Sequence, residues 1–144
     1  MVVMADDLWA LLLPGDTGTL ATIKPDGRPH LSDVNYTADA QTRVIRVSTR
    51  APLAKTRNLA RDPRASLHVP APGGAGYAVA EGTVTLSPAA ADEQDATVQE
   101  LIEVYRLIKG EHPDWADYRR AMVADQRLVL RLAVERLYGW MLEF

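Results

Sequence analysis

The sequence predicts a mainly β domain with helices, in which about six antiparallel strands close into a barrel. Short segments of alternating hydrophobicity follow one another through tight turns, which is typical of antiparallel strands rather than βαβ units. A small sheet without protected edges favours closure. The chain has 144 residues, 47% of them hydrophobic and 24% charged. This length and balance predict one globular domain, residues 1–144.

Composition argues against several classes of function. The net charge is −3 and the sequence pI is about 5.6, so general nucleic-acid binding is not expected. The absence of cysteine excludes disulfides, thiolate metal sites and a cysteine nucleophile. The apolar run at residues 8–13 is too short to span a bilayer and follows two acids rather than a basic segment. We therefore expect a cytoplasmic protein with no membrane partner.

The first half of the chain predicts a helix and three strands. Asp6 and Asp7 are placed to cap a short helix that Pro14 and Gly15 end. A turn at residues 25–28, with Gly27 free to adopt a positive φ, predicts a hairpin. The strands predicted in this half are residues 17–24, 28–37 and 43–48.

The second half predicts three helices and three strands. Pro52 suits the first turn of a helix over residues 53–60. Ser87, followed by proline, is the expected N-cap of a long amphipathic helix that ends at Gly110. Asp114 caps a shorter helix. The predicted strands are residues 65–69, 77–86 and 128–134, with a glycine-rich loop at 70–76 after the first of them.

A basic stretch carries the clearest chemical signal. Five cations stand in it against the single acid Asp62; they are Arg50, Lys55, Arg57, Arg61 and Arg64. It coincides with the start of a predicted helix, where free N–H groups and the helix dipole attract anions. Because Lys55 and Arg57 are two residues apart, their side chains diverge on a regular helix. An anion site and a solvated basic helix therefore both stay open.

The remaining motifs do not form a catalytic constellation. His30, His68 and His112 lack metal-ligand spacing, and His112 is expected on the surface. The glycines at 73–76 precede a strand and open no helix, which excludes a dinucleotide fingerprint. The acids of the long helix are expected on a solvated face; they are Asp92, Glu93, Asp95, Glu100 and Glu103. A compact β-rich domain with one anion site is typical of a protein that takes its chemistry from a bound cofactor.

In order and spacing, five segments resemble the pyridoxamine 5′-phosphate oxidase-like split-barrel superfamily. They are residues 18–23, 25–29, 54–59, 61–66 and 80–82. Within that superfamily the chain most resembles the actinobacterial deazaflavin-dependent branch, which uses coenzyme F420, and residues 110–115 and 117–119 also fit that branch. The resemblance extends from about residue 8 to residue 138.

The resemblance implies a six-stranded antiparallel split β-barrel, an FMN-binding split barrel, that forms a homodimer with two cofactor sites at its interface. It implies backbone contacts from β-strand residues 20–23 to the cofactor ring and phosphate contacts from the start of the basic helix, Lys55 first. The strand at 77–79 would come from the partner subunit or line the cofactor tail. The implied cofactor-binding residues are Leu20, Ala21, Thr22, Ile23, His30, Ser48, Ala54, Lys55, Arg57, Asn58, Tyr77, Ala78 and Val79.

The implied activity is hydride transfer from reduced coenzyme F420 to a conjugated small-molecule acceptor. Two alternatives stay open: an FMN-dependent oxidase or reductase on the same fold, and a non-catalytic protein that binds a cofactor or tetrapyrrole. The chain departs from pyridoxamine phosphate oxidases because no histidine follows His112, so the Arg-x-His element is missing. Leu53 also stands where a further cation could assist. Arg50 and Arg61 are candidates for a wider basic groove toward the acidic F420 tail.

Overall fold

Seven strands form one antiparallel sheet in the order β2-β1-β5-β6-β7-β4-β3. The structure, a computed structural model, describes residues 5–142. The strands are β1 (Thr17–Ile23), β2 (Pro29–Asn35), β3 (Thr37–Asp39), β4 (Val44–Arg50), β5 (Arg64–Pro70), β6 (Gly76–Leu86) and β7 (Arg127–Met141). The helices are α1 (Ala5–Leu12), α2 (Ala54–Arg61), α3 (Ala96–Lys109) and α4 (Trp115–Ala124), with a 3₁₀ turn at Pro72–Gly74. None of the helices described is long and apolar enough to cross a membrane.

The sheet curls until β2 and β4 lie side by side without pairing, which leaves a split in the barrel wall. This confirms the predicted split barrel, with seven strands instead of six. The extra strand arises because the predicted strand 28–37 breaks at Tyr36. That ring is fully buried and its hydroxyl donates a hydrogen bond of 2.7 Å to the carbonyl of Leu12. Residues 37–39 then pair with β4 instead of β1.

The barrel interior is apolar and is closed at its ends by helices. Leu20, Leu67 and Leu130 are at most 1% exposed, and α1 adds buried Leu8, Trp9 and Leu12, which belong to the same cluster. Helix α2 adds buried Leu59 to this cluster and also makes polar contacts that hold it against the barrel. Its Asn58 side chain donates to the Thr22 hydroxyl at 3.1 Å, and the Thr56 and Thr49 hydroxyls are hydrogen-bonded at 3.1 Å.

A second, smaller core lies outside the barrel, between α3, α4 and the outer face of β7. Val129 of β7 is buried there against Leu101 of α3 and against Tyr118 and Met122 of α4. The neighbours of Val129 on β7, Leu128 and Leu130, are likewise buried. Because successive strand residues point to opposite faces, this part of β7 is covered on both sides.

The predicted start of the long helix is wrong. Helix α3 begins at Ala96, where the Asp95 carboxylate accepts a hydrogen bond of 2.8 Å from the Val98 amide. Ser87 instead joins β6 to β7, because its hydroxyl oxygen accepts from the Val129 amide at 2.9 Å. Helix α1 differs similarly, since Asp6 and Asp7 stand in its first turn rather than before it.

The closing strand is longer than the pattern predicted. It extends from Arg127 to Met141 and includes Tyr138 and Trp140, which the alternation left outside. A register shift between Glu81 and Gly82 lets β6 follow it along this length. A Cβ on Gly82 would lie 1.8 Å from the Ala133 carbonyl oxygen, so only glycine fits at this close approach. The Gly110 and Asp114 caps are confirmed.

Candidate functional site

A cleft of about 380 Å³ opens at the split between β2 and β4. Its floor is formed by strand residues that include Asp33 and Ser48, and its outer wall by α3 and α4. Three cations line it: Lys55 from α2, Arg127 from the first residue of β7, and Lys109 from the end of α3, which lies 3.9 Å from Asp16. The cleft therefore combines a cationic end with an apolar wall.

Lys55 is the predicted cation that the fold delivers to this cleft. Its ammonium donates a hydrogen bond of 3.3 Å to the hydroxyl of Ser32 on β2. Burial lowers the pKa of Lys55, and the nearby positive charge of Arg127 lowers it further. Within residues 5–142 Lys55 makes no salt bridge to a carboxylate. An anion in the cleft would oppose both effects by stabilising the charged amine.

Arg127 is the functional candidate that sequence reasoning missed. One of its terminal nitrogens, Nη1, lies 3.5 Å from the Ser48 carbonyl oxygen, and its Nε is buried without a hydrogen-bond partner in the described part of the chain. No local motif marks it, because the tertiary structure brings it near Lys55: β7 pairs with β4, and α2 follows β4 in the chain. The alternation of β7 predicts which face it occupies, but not its neighbour.

The apolar wall of the cleft is built from one face of α3 and one of α4. Val104, Tyr105, Ile108, Tyr118 and Met122 line it. Burial raises the pKa of Tyr118 to about 12, and its hydroxyl donates to the Leu101 carbonyl at 3.0 Å. This phenol is therefore neutral at physiological pH and already engaged as a donor, which suits it to packing rather than to proton transfer.

His112 supports that wall from behind, contrary to the expected surface position. It is half-buried, and its ring lies 5.2 Å from Tyr105, 5.6 Å from Trp115 and 5.4 Å from Tyr118, measured between ring centroids. Arg106 covers the outer side of the Trp115 ring at 4.8 Å. Contacts between aromatic rings at these separations hold α3 and α4 together beside the cleft.

The acids of α3 are not all on a solvated face, as the sequence had suggested. Asp95 is the helix cap, and Glu100 lies beneath the helix with its side chain 20% exposed. Glu100 accepts hydrogen bonds from Arg131 of β7, at 3.0 Å from Nε, and from Arg46 of β4, at 3.4 Å. The hydrogen bond with Arg131 is the largest cause that lowers the pKa of Glu100, and the contact with Arg46 adds to it. Burial acts in the opposite direction.

The residues predicted for the phosphate end separate into three groups. Ser48 and Lys55 line the cleft together. Asn58 is buried, and its side chain donates a hydrogen bond to the Thr22 hydroxyl. Ala54 and Arg57 are exposed on the same helix and do not line the cleft. Their roles in binding stay predictions.

The predicted ring and tail contacts lie on other surfaces of the same chain. Leu20 and Ala78 are buried in the barrel core. Ala21, Thr22 and Ile23 border a second cleft on the outer face of the sheet. Residues 77 and 79 share that face, where the Tyr77 ring stacks on His68 at 5.3 Å. Leu20 lies directly opposite Ser32, the residue that accepts the hydrogen bond from Lys55, so β1 is adjacent to this end of the cleft. Residues 77 and 79 do not line the cleft.

His30 and the other candidate cations occupy structural positions. His30 is half-buried opposite Thr22, and its Nδ1 has no hydrogen-bond partner among residues 5–142. Arg61 donates to the Ile23 carbonyl, while Arg64 pairs with Asp62 at 2.8 Å. Arg50 is exposed, opposite Arg127 in the sheet. No group of three or more potential metal ligands occurs in the described residues.

A split barrel with cations and an apolar wall at its open seam defines a class of small proteins with a site suited to an anionic ligand. Within that class, the chain belongs to the pyridoxamine 5′-phosphate oxidase family, which matches residues 5–141. The match spans every strand and helix described, and it supports an oxidoreductase as the class of function.

Solved structures of similar proteins agree with this family and fold. A conserved hypothetical protein of Mycobacterium tuberculosis is 25% identical, with a TM-score of 0.73, and the match covers 98% of this chain and 86% of that one. An F420 reductase is 24% identical with a TM-score of 0.67, over 95% and 98% of the two chains. A FAD-binding protein of Mesorhizobium loti is 18% identical with a TM-score of 0.67, over 95% and 92%. The last two similarities carry the fold alone.

Proposed function

We propose that this chain is a coenzyme F420-dependent oxidoreductase that reduces a conjugated small-molecule acceptor. The observation that supports this most is the cleft at the split, where Lys55 and Arg127 converge without a carboxylate partner among the described residues. Buried or half-buried cations are normally paired. The donors Lys55 and Arg127, with the Ser48 hydroxyl beside them, suit a phosphate.

The chain's own residues would bind, orient and shield the cofactor. Lys55 would hold the phosphate as a point charge, and the Ser48 hydroxyl would add a hydrogen bond. The apolar wall of α3 and α4 would exclude water from one side of the cleft and so strengthen those contacts. The chemistry that reduced F420 supplies when bound is a hydride from C5 of its deazaflavin ring. No described side chain is assigned as proton donor.

The proposal includes a homodimer, because the predicted tail contacts at residues 77–79 do not line the cleft that holds Lys55 in the same chain. The outer face of the sheet exposes large apolar side chains; Leu31 is 64% exposed, Trp140 45% and Tyr138 40%. Such a patch is typical of an interface. Pairing two chains through this face would cover it and bring a second chain's residues toward each cleft. A mass of twice 15.8 kDa in light scattering supports this; a monomer that still binds the cofactor contradicts it.

The deciding experiment is a titration of the purified protein with coenzyme F420 and, separately, with FMN. We expect F420 to bind at least about tenfold more tightly, and Lys55→Ala to weaken F420 binding by about tenfold or more through loss of a charged contact. The thermal midpoint of Lys55→Ala should stay close to that of the parent. Arg28→Gln, at an exposed hairpin turn, is the matched loss of a cation elsewhere.

The outcomes separate the candidate functions. If FMN binds more tightly than F420, the proposed cofactor changes to FMN, and the protein is then an FMN-dependent oxidase or reductase on the same fold. Turnover decides between an enzyme and a binding protein: reduced cofactor mixed with quinones, enones or tetrapyrroles should be oxidised faster with the protein than without it. If no acceptor is reduced although the cofactor binds, the oxidoreductase proposal fails.

A further inference from the structure

The outer face of β4 and β7 carries two cross-strand pairs of arginines. Arg46 lies directly opposite Arg131, and Arg50 lies directly opposite Arg127. Of the three residue pairs between them, only Ser48 and Val129 share their face of the sheet. Opposed residues of an antiparallel pair share a face and stand about 5 Å apart at Cβ, and like charges there are unfavourable. Each pair therefore needs a source of negative charge.

The first pair has its anion built into the chain. Glu100 accepts hydrogen bonds from both Arg46 and Arg131, and Glu103 adds a contact of 3.1 Å to Arg46. Two carboxylates thus face two guanidinium groups. The positive charge of this pair is therefore neutralised within the chain.

The second pair has no such anion. Neither Arg50 nor Arg127 makes a salt bridge with any residue from 5 to 142, and Lys55 adds a third positive charge. Lys109, which also lines the cleft, is 3.9 Å from Asp16. Asp33 also lines the cleft, but it is exposed and forms no salt bridge with Lys55, Arg50 or Arg127. The excess positive charge stays on the side of the cleft where Lys55 enters.

Arg127 is the member of the second pair that is turned into the cleft. Its Nε is buried without a partner, whereas Arg50 is exposed and does not line the cleft. A buried donor that no protein group satisfies carries a desolvation cost that a bound acceptor would remove. The position also compensates for Leu53, an apolar residue at the start of α2 where a cation could have served.

We propose that Arg127 is the second phosphate ligand of the cleft, acting with Lys55 on an anion of the phosphate class. This inference rests on the proposed function, because it takes the cleft as the place of the cofactor phosphate. It assigns the role to a residue of β7 rather than to Arg57. Arg57 is two residues from Lys55 on α2, so the two side chains leave the helix in different directions. Lys55 contributes a point charge, and the Arg127 guanidinium adds directional donors.

The test uses inorganic phosphate as the probe, so that it does not depend on the redox cofactor. Binding is followed by ³¹P line broadening at fixed ionic strength, for the parent and for four variants: Arg127→Gln, Arg127→Lys, Arg57→Gln and Arg120→Gln. Arg120 is exposed on α4 and paired with Asp117, so it controls for loss of one positive charge. We expect Arg127→Gln to weaken phosphate binding by about tenfold or more, and Arg120→Gln by less than about twofold.

Arg127→Lys should recover part of the affinity, and Arg57→Gln should cost less than Arg127→Gln. Should Arg127→Gln fail to fold, Arg127→Lys replaces it: phosphate binding weaker than in Arg120→Gln is then expected, because lysine keeps the charge but lacks the directional donors of the guanidinium. Equal phosphate affinity in Arg127→Gln and Arg120→Gln, or no phosphate binding by the parent, overturns the inference. Phosphate binding that needs Arg127, in a protein that binds neither F420 nor FMN, refutes the proposed function and leaves this inference standing.

Discussion

Two pairs of arginines lie on β4 and β7, and they differ in whether carboxylates neutralise them. Arg46 and Arg131 are neutralised by Glu100 and Glu103, which α3 lays over them. Arg50 and Arg127 form no salt bridge with these acids; Arg127 lines the cleft and Arg50 is exposed beside it in the sheet. The first pair attaches α3 to the barrel. The second pair is positively charged and has no carboxylate partner among the described residues. The difference teaches that similar residues at the same strand positions serve stability or binding according to what the covering layer supplies.

The largest effect is expected from breaking the first cluster. Glu100→Gln removes the charge shared by Arg46 and Arg131 and leaves the two guanidinium groups facing each other under α3. We expect the free energy of unfolding to fall by about 2 kcal/mol, less than for a fully buried pair because Glu100 retains some solvent contact. Urea unfolding at neutral pH measures it.

The matched control is Glu103→Gln, since the Glu103 side chain is 62% exposed. It also contacts Arg46, but water already solvates it, so a change below about 0.5 kcal/mol is expected. Equal losses in the two variants would mean that Glu100 acts by helix propensity or by net charge, and not as the centre of a cluster.

A smaller effect should appear in acid. The folded-state pKa of Glu100 lies below the usual value of 4.5, so its carboxylate stabilises the fold above that value. This contribution is lost as the pH falls through the lowered pKa. The gap in unfolding free energy between the parent and Glu100→Gln should therefore narrow as the solution is acidified below pH 4.5. A gap that stays constant down to complete protonation would contradict the shift.

The smallest effect is expected at the second pair. Arg127→Gln relieves the repulsion with Arg50 and Lys55 and removes a buried donor that lacks a partner, although it also loses the long contact to the Ser48 carbonyl. The free energy of unfolding should change by less than about 0.5 kcal/mol and in the stabilising direction. Thermal unfolding without added phosphate measures it. A loss above about 1 kcal/mol would make Arg127 a structural residue.

Much of the fold was accessible from the sequence because local rules govern it. The turn at residues 25–28, the strand alternation and the Gly110 and Asp114 caps are set by neighbouring residues, and each occurs as predicted. The errors arose where distant groups compete. Ser87 looks like a helix cap, but its hydroxyl binds the Val129 amide across the sheet. Tyr36 ends β2 because its ring is buried under α1.

The candidate site was only half accessible. Lys55 could be singled out because its helix start and basic surroundings are local features. Its partner could not, since Arg127 reaches Lys55 through strand pairing and nothing near it in sequence signals an anion. The predicted tail contacts at residues 77–79 do not line the cleft that holds Lys55. Whether a second chain unites them depends on assembly rather than on any segment.

By itself, the sequence determined the strands, most of the helices, the family resemblance and the cation at position 55, because periodicity, capping and short motifs are properties of adjacent residues. The tertiary structure decided which cations remain without an acid. Charge balance depends on the groups that a fold brings within a few ångströms. The fold places Glu100 within hydrogen-bond distance of Arg131. It places Arg127 beside Lys55, at an open cleft.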